Sequence, residues 1–62
     1  MEIFYVESVK ESEGVSKEFT SEISAKKYVV DKFRENPTLE LRLTFPEGEI
    51  EVFNGDHWTL VF

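Results

Sequence analysis

Leu39, Leu41, Leu43 and Phe45 alternate with Glu40, Arg42 and Thr44. A period of two over that length predicts a strand with one dry face and one wet face. Pro46-Glu47-Gly48-Glu49 then reads as a hairpin turn, with Ile50 and Val52 continuing the dry face. Asn54-Gly55-Asp56 reads as a second turn. Trp58, Leu60 and Phe62, alternating with His57, Thr59 and Val61, form a last strand.

Upstream, the pattern changes twice. Glu2 to Val9 is rich in β-branched and aromatic residues and reads as a strand that is apolar on both faces: Phe4 and Val6 on one side, Ile3 and Tyr5 on the other. Lys10 to Gly14 is a polar turn. Val15 to Phe19 is a short second strand, with Val15, Lys17 and Phe19 sharing a face. A helical period follows. Thr20 or Ser21 can cap it, Glu22 suits the positive end of the dipole, and Lys32 and Arg34 suit the negative end. Ile23, Ala25, Val29, Val30 and Phe33 gather on one helical face, with Tyr28 at its edge. Pro37 disfavours helical backbone at Asn36, so the helix should stop there.

The predicted fold is α+β: a single domain over residues 1–62, with one antiparallel sheet in β-β-α-β-β-β order and one helix packed on one face. A single helix cannot cover both faces of five strands, so the other face should be open. The meander of the last three strands makes them neighbours. A central first strand, beside strand three or strand five, would explain its two apolar faces.

Parity constrains the registers, because directly opposed residues share a face. Pairing Phe45 with Ile50 keeps the leucine side together and implies a two- or four-residue loop. An Asn-Gly two-residue turn would oppose Val52 to His57 and Glu51 to Trp58, mixing wet and dry. A three-residue loop opposes Phe53 to His57 and Val52 to Trp58 and restores the match, as would a bulge beside the Asn-Gly turn. Phe53, His57 and Val61 then belong to the open face, with Arg42 opposite Phe53 in a cation–π contact.

Composition sharpens this picture. A chain of 62 residues buries only about 60% of its unfolded surface, and such domains often carry disulfides or a metal. This one has no cysteine, which removes disulfides and thiolate metal sites and fits a cytoplasmic location. Six Phe, two Tyr and one Trp supply large core side chains in their place. The start of the chain lacks the basic segment and long apolar run of a secretory signal, and no stretch reaches the length of a membrane span.

Catalytic patterns are absent from the sequence. His57 is the only histidine and flanks a turn, and no Gly-x-Ser-x-Gly elbow accompanies it. Glu47, Glu49 and Glu51 alternate along one strand and so spread over about 13 Å, too far for one cation. The three glycines all fall in turns and make no phosphate cradle. The expectation is a protein that is not an enzyme and needs no cofactor or metal.

Thirteen acids against seven bases give a net charge of −6, which opposes binding to nucleic acid or anionic lipid and favours a basic surface. Only the helix region is net positive. An apolar patch with an acidic rim suits a protein partner. The function expected is a small acidic protein-interaction module that regulates or blocks a basic or nucleic-acid-handling protein, a phage-type inhibitor being one form of it. Glu40, Glu49, Glu51, Phe53 and His57 are its expected contact residues on the open face. The alternative is a self-associating module that forms a homodimer through the sheet face or an unpaired edge strand.

Overall fold

A computed structural model of the chain describes residues 2–61. The expected place of Phe62 in the last strand lies outside the described residues. The elements are β1 (Phe4–Ser8), a 3-10 turn (Glu11–Glu13), β2 (Ser16–Phe19), α1 (Glu22–Glu35), β3 (Leu41–Thr44), β4 (Ile50–Phe53) and β5 (Trp58–Leu60). The five strands form one sheet in the order β2-β1-β3-β4-β5, every neighbouring pair antiparallel. The helix packs on one face of it, over β1, β2 and β3. The chain is therefore α+β, with β1 inside the sheet between β2 and β3. No helix among the described residues is long and apolar enough to cross a membrane.

The helix ends are set by their caps. The Ser21 hydroxyl accepts the backbone N–H of Ser24 at 3.1 Å, and Glu22 occupies the first turn. At the other end Asn36 adopts extended backbone (φ −145°), as a following proline demands, and its N–H still closes on the Lys32 carbonyl. Two of the five apolar residues expected on the inner face are fully buried, Ala25 and Val29, while Val30 and Phe33 are half-buried. Ile23 is instead 83% exposed. It precedes Ala25 by two residues, about 200° around the helix, so it points away from the sheet wherever Ala25 points toward it.

The core is Val6 from β1, Leu41 and Leu43 from β3, and Ala25 and Val29 from α1, fringed by Phe4, Phe19, Tyr28, Phe45, Phe53 and Trp58. Val6 decides the ambiguity of the first strand: Phe4 and Val6 meet the helix, and Tyr5 faces the other way. Lys17 and Phe19 share a face as expected, and it is the helix face, the Lys17 ammonium standing 5.1 Å from the Tyr28 ring.

Both hairpin registers differ from the sequence expectation. In the first, Thr44 opposes Ile50, Leu43 opposes Glu51 and Arg42 opposes Val52. Phe45 N–H donates to the Glu49 carbonyl at 2.7 Å, and Gly48 N–H closes the turn on the Phe45 carbonyl at 2.9 Å. The loop is thus Pro46-Glu47-Gly48, a turn with proline in its second position followed by a glycine in left-handed backbone (φ 100°). That is the three-residue hairpin with a glycine bulge. Its odd length rotates β4 by one register step. Glu51 and Phe53 turn to the helix side, and Ile50 and Val52 turn to the open face.

The second loop is even rather than the expected odd one. Phe53 opposes Trp58, Val52 opposes Thr59 and Glu51 opposes Leu60. The Asn54 side-chain oxygen accepts the backbone N–H groups of Asp56 and His57, each at 2.9 Å, and Gly55 takes a left-handed φ of 99°. With Phe53 already on the dry side, an even loop is the one that lays Trp58 beside it. Matching wet to wet and dry to dry therefore holds in the second hairpin, in the opposite frame from the one expected. Arg42 accordingly opposes Val52 and not Phe53.

Candidate functional site

The face of the sheet opposite α1 is the surface the fold leaves uncovered. Two rows of side chains cross it. Tyr5, Thr44 and Ile50 make one row, with Glu18 beside Tyr5 on β2. Val61 ends it, its N–H bonded to the Ile50 carbonyl at 2.9 Å. Glu7, Arg42 and Val52 make the second row, flanked by Ser16 and Thr59. Tyr5, Glu7, Arg42, Thr44, Ile50 and Val52 are all half-buried: shielded by one another and by neighbouring strands, yet open from above.

Charge in the centre of this face is self-compensated. Two guanidinium nitrogens of Arg42, Nε at 3.0 Å and Nη2 at 2.9 Å, converge on Glu7 Oε1. Such charge-assisted bonds tie the two side chains to each other across neighbouring strands. The Tyr5 hydroxyl is held by the Ser16 hydroxyl on the neighbouring strand. What remains available is largely apolar: the Tyr5 ring, Ile50, Val52 and Val61, with the Thr44 and Thr59 side chains between them. Among the described residues, the charge on this face without an ion partner is Glu18, at the rim.

The five contact residues expected from the sequence do not assemble on this face. Glu40 follows the parity of Arg42 but sits beyond the strand, its carbonyl accepting Val9 N–H at 2.8 Å and its carboxylate 3.3 Å from Lys10 Nζ. His57 is exposed in the β4–β5 turn, beside Asn54 and Asp56. Glu49, Glu51 and Phe53 belong to the helix side. There the Phe53 ring packs against Phe33, centroids 5.4 Å apart, and Trp58 at 5.2 Å. Glu51 lies 3.3 Å from Lys26 Nζ. The placement of Glu49, Glu51 and Phe53 on the open face is thus corrected, and the cause is the odd Pro46-Glu47-Gly48 loop.

Lys26 is the junction of that helix-side cluster. Its ammonium also bonds Glu22 at 3.0 Å and stands 5.0 Å from the Trp58 ring and 5.8 Å from that of Phe45. Burial pulls the Lys26 pKa down, but the hydrogen bonds and charges of Glu22 and Glu51 together outweigh it and hold the group above its ordinary value. These contacts roof the β4–β5 end of the sheet, beside the strands on which the helix chiefly packs.

Elsewhere the surface offers less chemistry. A shallow depression at the β2–α1 corner is lined by Ile3, Glu18, Phe19, Thr20 and Ser24, and its one charged group is a carboxylate. Among the described residues no three His, Asp or Glu side chains converge as metal ligands.

Ile50 and Val52 are the face residues that sequence reasoning missed, while Tyr5 resolves an alternative that the two apolar faces of the first strand left open. The signal was in the loop: proline in the second turn position and glycine in the fourth is the composition of a three-residue hairpin, and counting it as such moves Ile50 and Val52 outward. No family model matches the chain, and neither a curated protein nor a solved structure matches it.

Proposed function

We propose that this chain is a protein-binding module that engages its partner through the open sheet face. The observation that carries the reading is the pairing of an uncovered five-stranded surface with an apolar, charge-compensated centre at Tyr5, Ile50 and Val52. Apolar area that no part of the fold covers is the usual mark of an interface. Net charge of −6 adds long-range attraction to a basic protein surface and repulsion from phosphate backbones. A regulator or inhibitor that occupies the basic face of another protein, including one that handles nucleic acid, fits those two properties.

The test is capture from a lysate of the source cell on four immobilised forms: wild type, Ile50→Lys, Val52→Lys and, as a control on the other face, Glu49→Gln. A stoichiometric partner should be held by wild type and by Glu49→Gln, be lost from both lysine variants, and elute as salt is raised. A partner held equally by all four forms would overturn the open face as the site, and a partner insensitive to salt would overturn the charge argument. Recovery of no partner at low salt would remove the reading altogether.

A further inference from the structure

The two edges of the sheet are built differently. The β2 edge (Ser16–Phe19) alternates a base and an acid, Lys17 and Glu18, the usual means of keeping an edge from pairing. The β5 edge runs Trp58-Thr59-Leu60-Val61 without a charge, in a chain of net charge −6. Its backbone directions follow from two bonds: Val61 N–H donates to Ile50, and the His57 carbonyl accepts from Asn54. Residues 57, 59 and 61 therefore face β4. Alternation along the strand turns the N–H and C=O groups of Trp58 and Leu60 outward. Among the described residues nothing pairs with them. Leu60 and Val61 are each 58% exposed. Two of the four large apolar side chains left most open among the described residues, Leu60 and Val61, thus lie on this edge.

We propose that the β5 edge is a self-association site, where a second copy of this chain adds its own β5 antiparallel about a two-fold axis at Thr59. The strand is self-complementary in that register. Trp58 opposes the second copy's Leu60 and exchanges both backbone hydrogen bonds with it, and Leu60 does the same with the second copy's Trp58. The aromatic–aliphatic pairs that result fall on the helix side, and the two Thr59 side chains meet on the open face. Of the two-fold registers, the one centred on Thr59 uses all of β5. The open face then runs unbroken from one copy to the next. An edge of three residues buries less than a standard interface, so the dimer is weak and forms at high protein concentration. It does not depend on a heterologous partner.

Sedimentation equilibrium across a wide concentration range, extended to roughly millimolar, tests this together with hydrogen exchange. Wild type should pass from monomer to dimer. The Trp58 and Leu60 amides, which point to solvent in the monomer, should gain protection in step with it. Thr59→Lys and Thr59→Glu should each weaken association several-fold, because like charges then meet at the axis, and an equimolar mixture of the two should recover it. Leu60→Pro removes an outward donor and leaves the β4–β5 hydrogen bonds in place, so it should abolish the dimer. If that variant fails to fold, the Thr59 pair and its mixture decide. A monomer at every concentration would overturn the proposal. So would a dimer indifferent to the Thr59 charges, or one whose Trp58 and Leu60 amides stay unprotected.

Discussion

The sheet has two halves held by different means. Under α1, β1 and β3 contribute Val6, Leu41 and Leu43, each fully buried against Ala25 and Val29. No described residue of β4 or β5 reaches that state. Their helix-side surface is covered by side chains alone: the Phe33, Phe53 and Trp58 rings and the Lys26 ammonium. One half is a packed interior and the other is a roof of long side chains over a thin hairpin. A 62-residue chain has one helix's worth of cover, and it lies over β1 and β3, whose helix-side residues form the packed interior.

Substitutions in the two halves should separate them by size of effect. Leu43→Ala empties the centre of the packed half and should cost about 2–5 kcal/mol, enough to leave the domain largely unfolded in a urea titration. Phe53→Ala in the roof should cost about half as much, since the ring is only half-buried. An equal loss from the two would break the comparison. Gly55→Ala tests whether the turn and the roof act together. A Cβ there would stand 2.7 Å from the Phe33 ring on backbone with φ near 99°, so a loss of about 1–2 kcal/mol is expected, with Phe33→Leu recovering part of it in a double-mutant cycle. Phe33 ring shifts that leave stability unchanged would show the turn to be independent.

The ion pairs of the roof contribute least. Lys26→Gln should cost about 0.5 kcal/mol at neutral pH. Because the folded-state pKa of Lys26 is raised, its contribution is whole below lysine's ordinary 10.5 and disappears as pH climbs through the raised value. The difference between wild type and variant, followed by thermal melts, should therefore be flat through neutral pH and shrink on the alkaline side. A difference that grows there would contradict the sign. Ile23→Ser, outside both halves, should stay within about 0.5 kcal/mol.

The sequence made the element order, the helix ends and the open face legible, because each rests on a local signal: the alternation of Leu41, Arg42 and Leu43, the Ser21 hydroxyl, and the restraint Pro37 puts on Asn36. Which face each residue of β4 and β5 takes rests on a count of loop residues, and apolar side chains sit at both parities there: Ile50 and Val52 in one set, Phe53, Trp58 and Leu60 in the other. Hydrophobic alternation alone therefore did not choose between the two frames. The candidate surface was therefore foreseen as an uncovered face that includes Val61, but Glu49, Glu51 and Phe53 stood in it where Ile50 and Val52 belong. Ile23 failed for a different reason: the helix buries a stripe only as wide as the contact at Ala25 and Val29.

The Pro46-Glu47-Gly48 loop consequently works as a parity switch. Deleting or inserting one residue in it would alter no side chain of β4 or β5, yet would exchange their two faces, carrying Ile50 and Val52 inward and Glu51 and Phe53 out. Descendants of this chain could thus acquire an entirely new exterior from a single three-base insertion or deletion in the gene, while the residues that hold the interior beneath the helix stayed as they are.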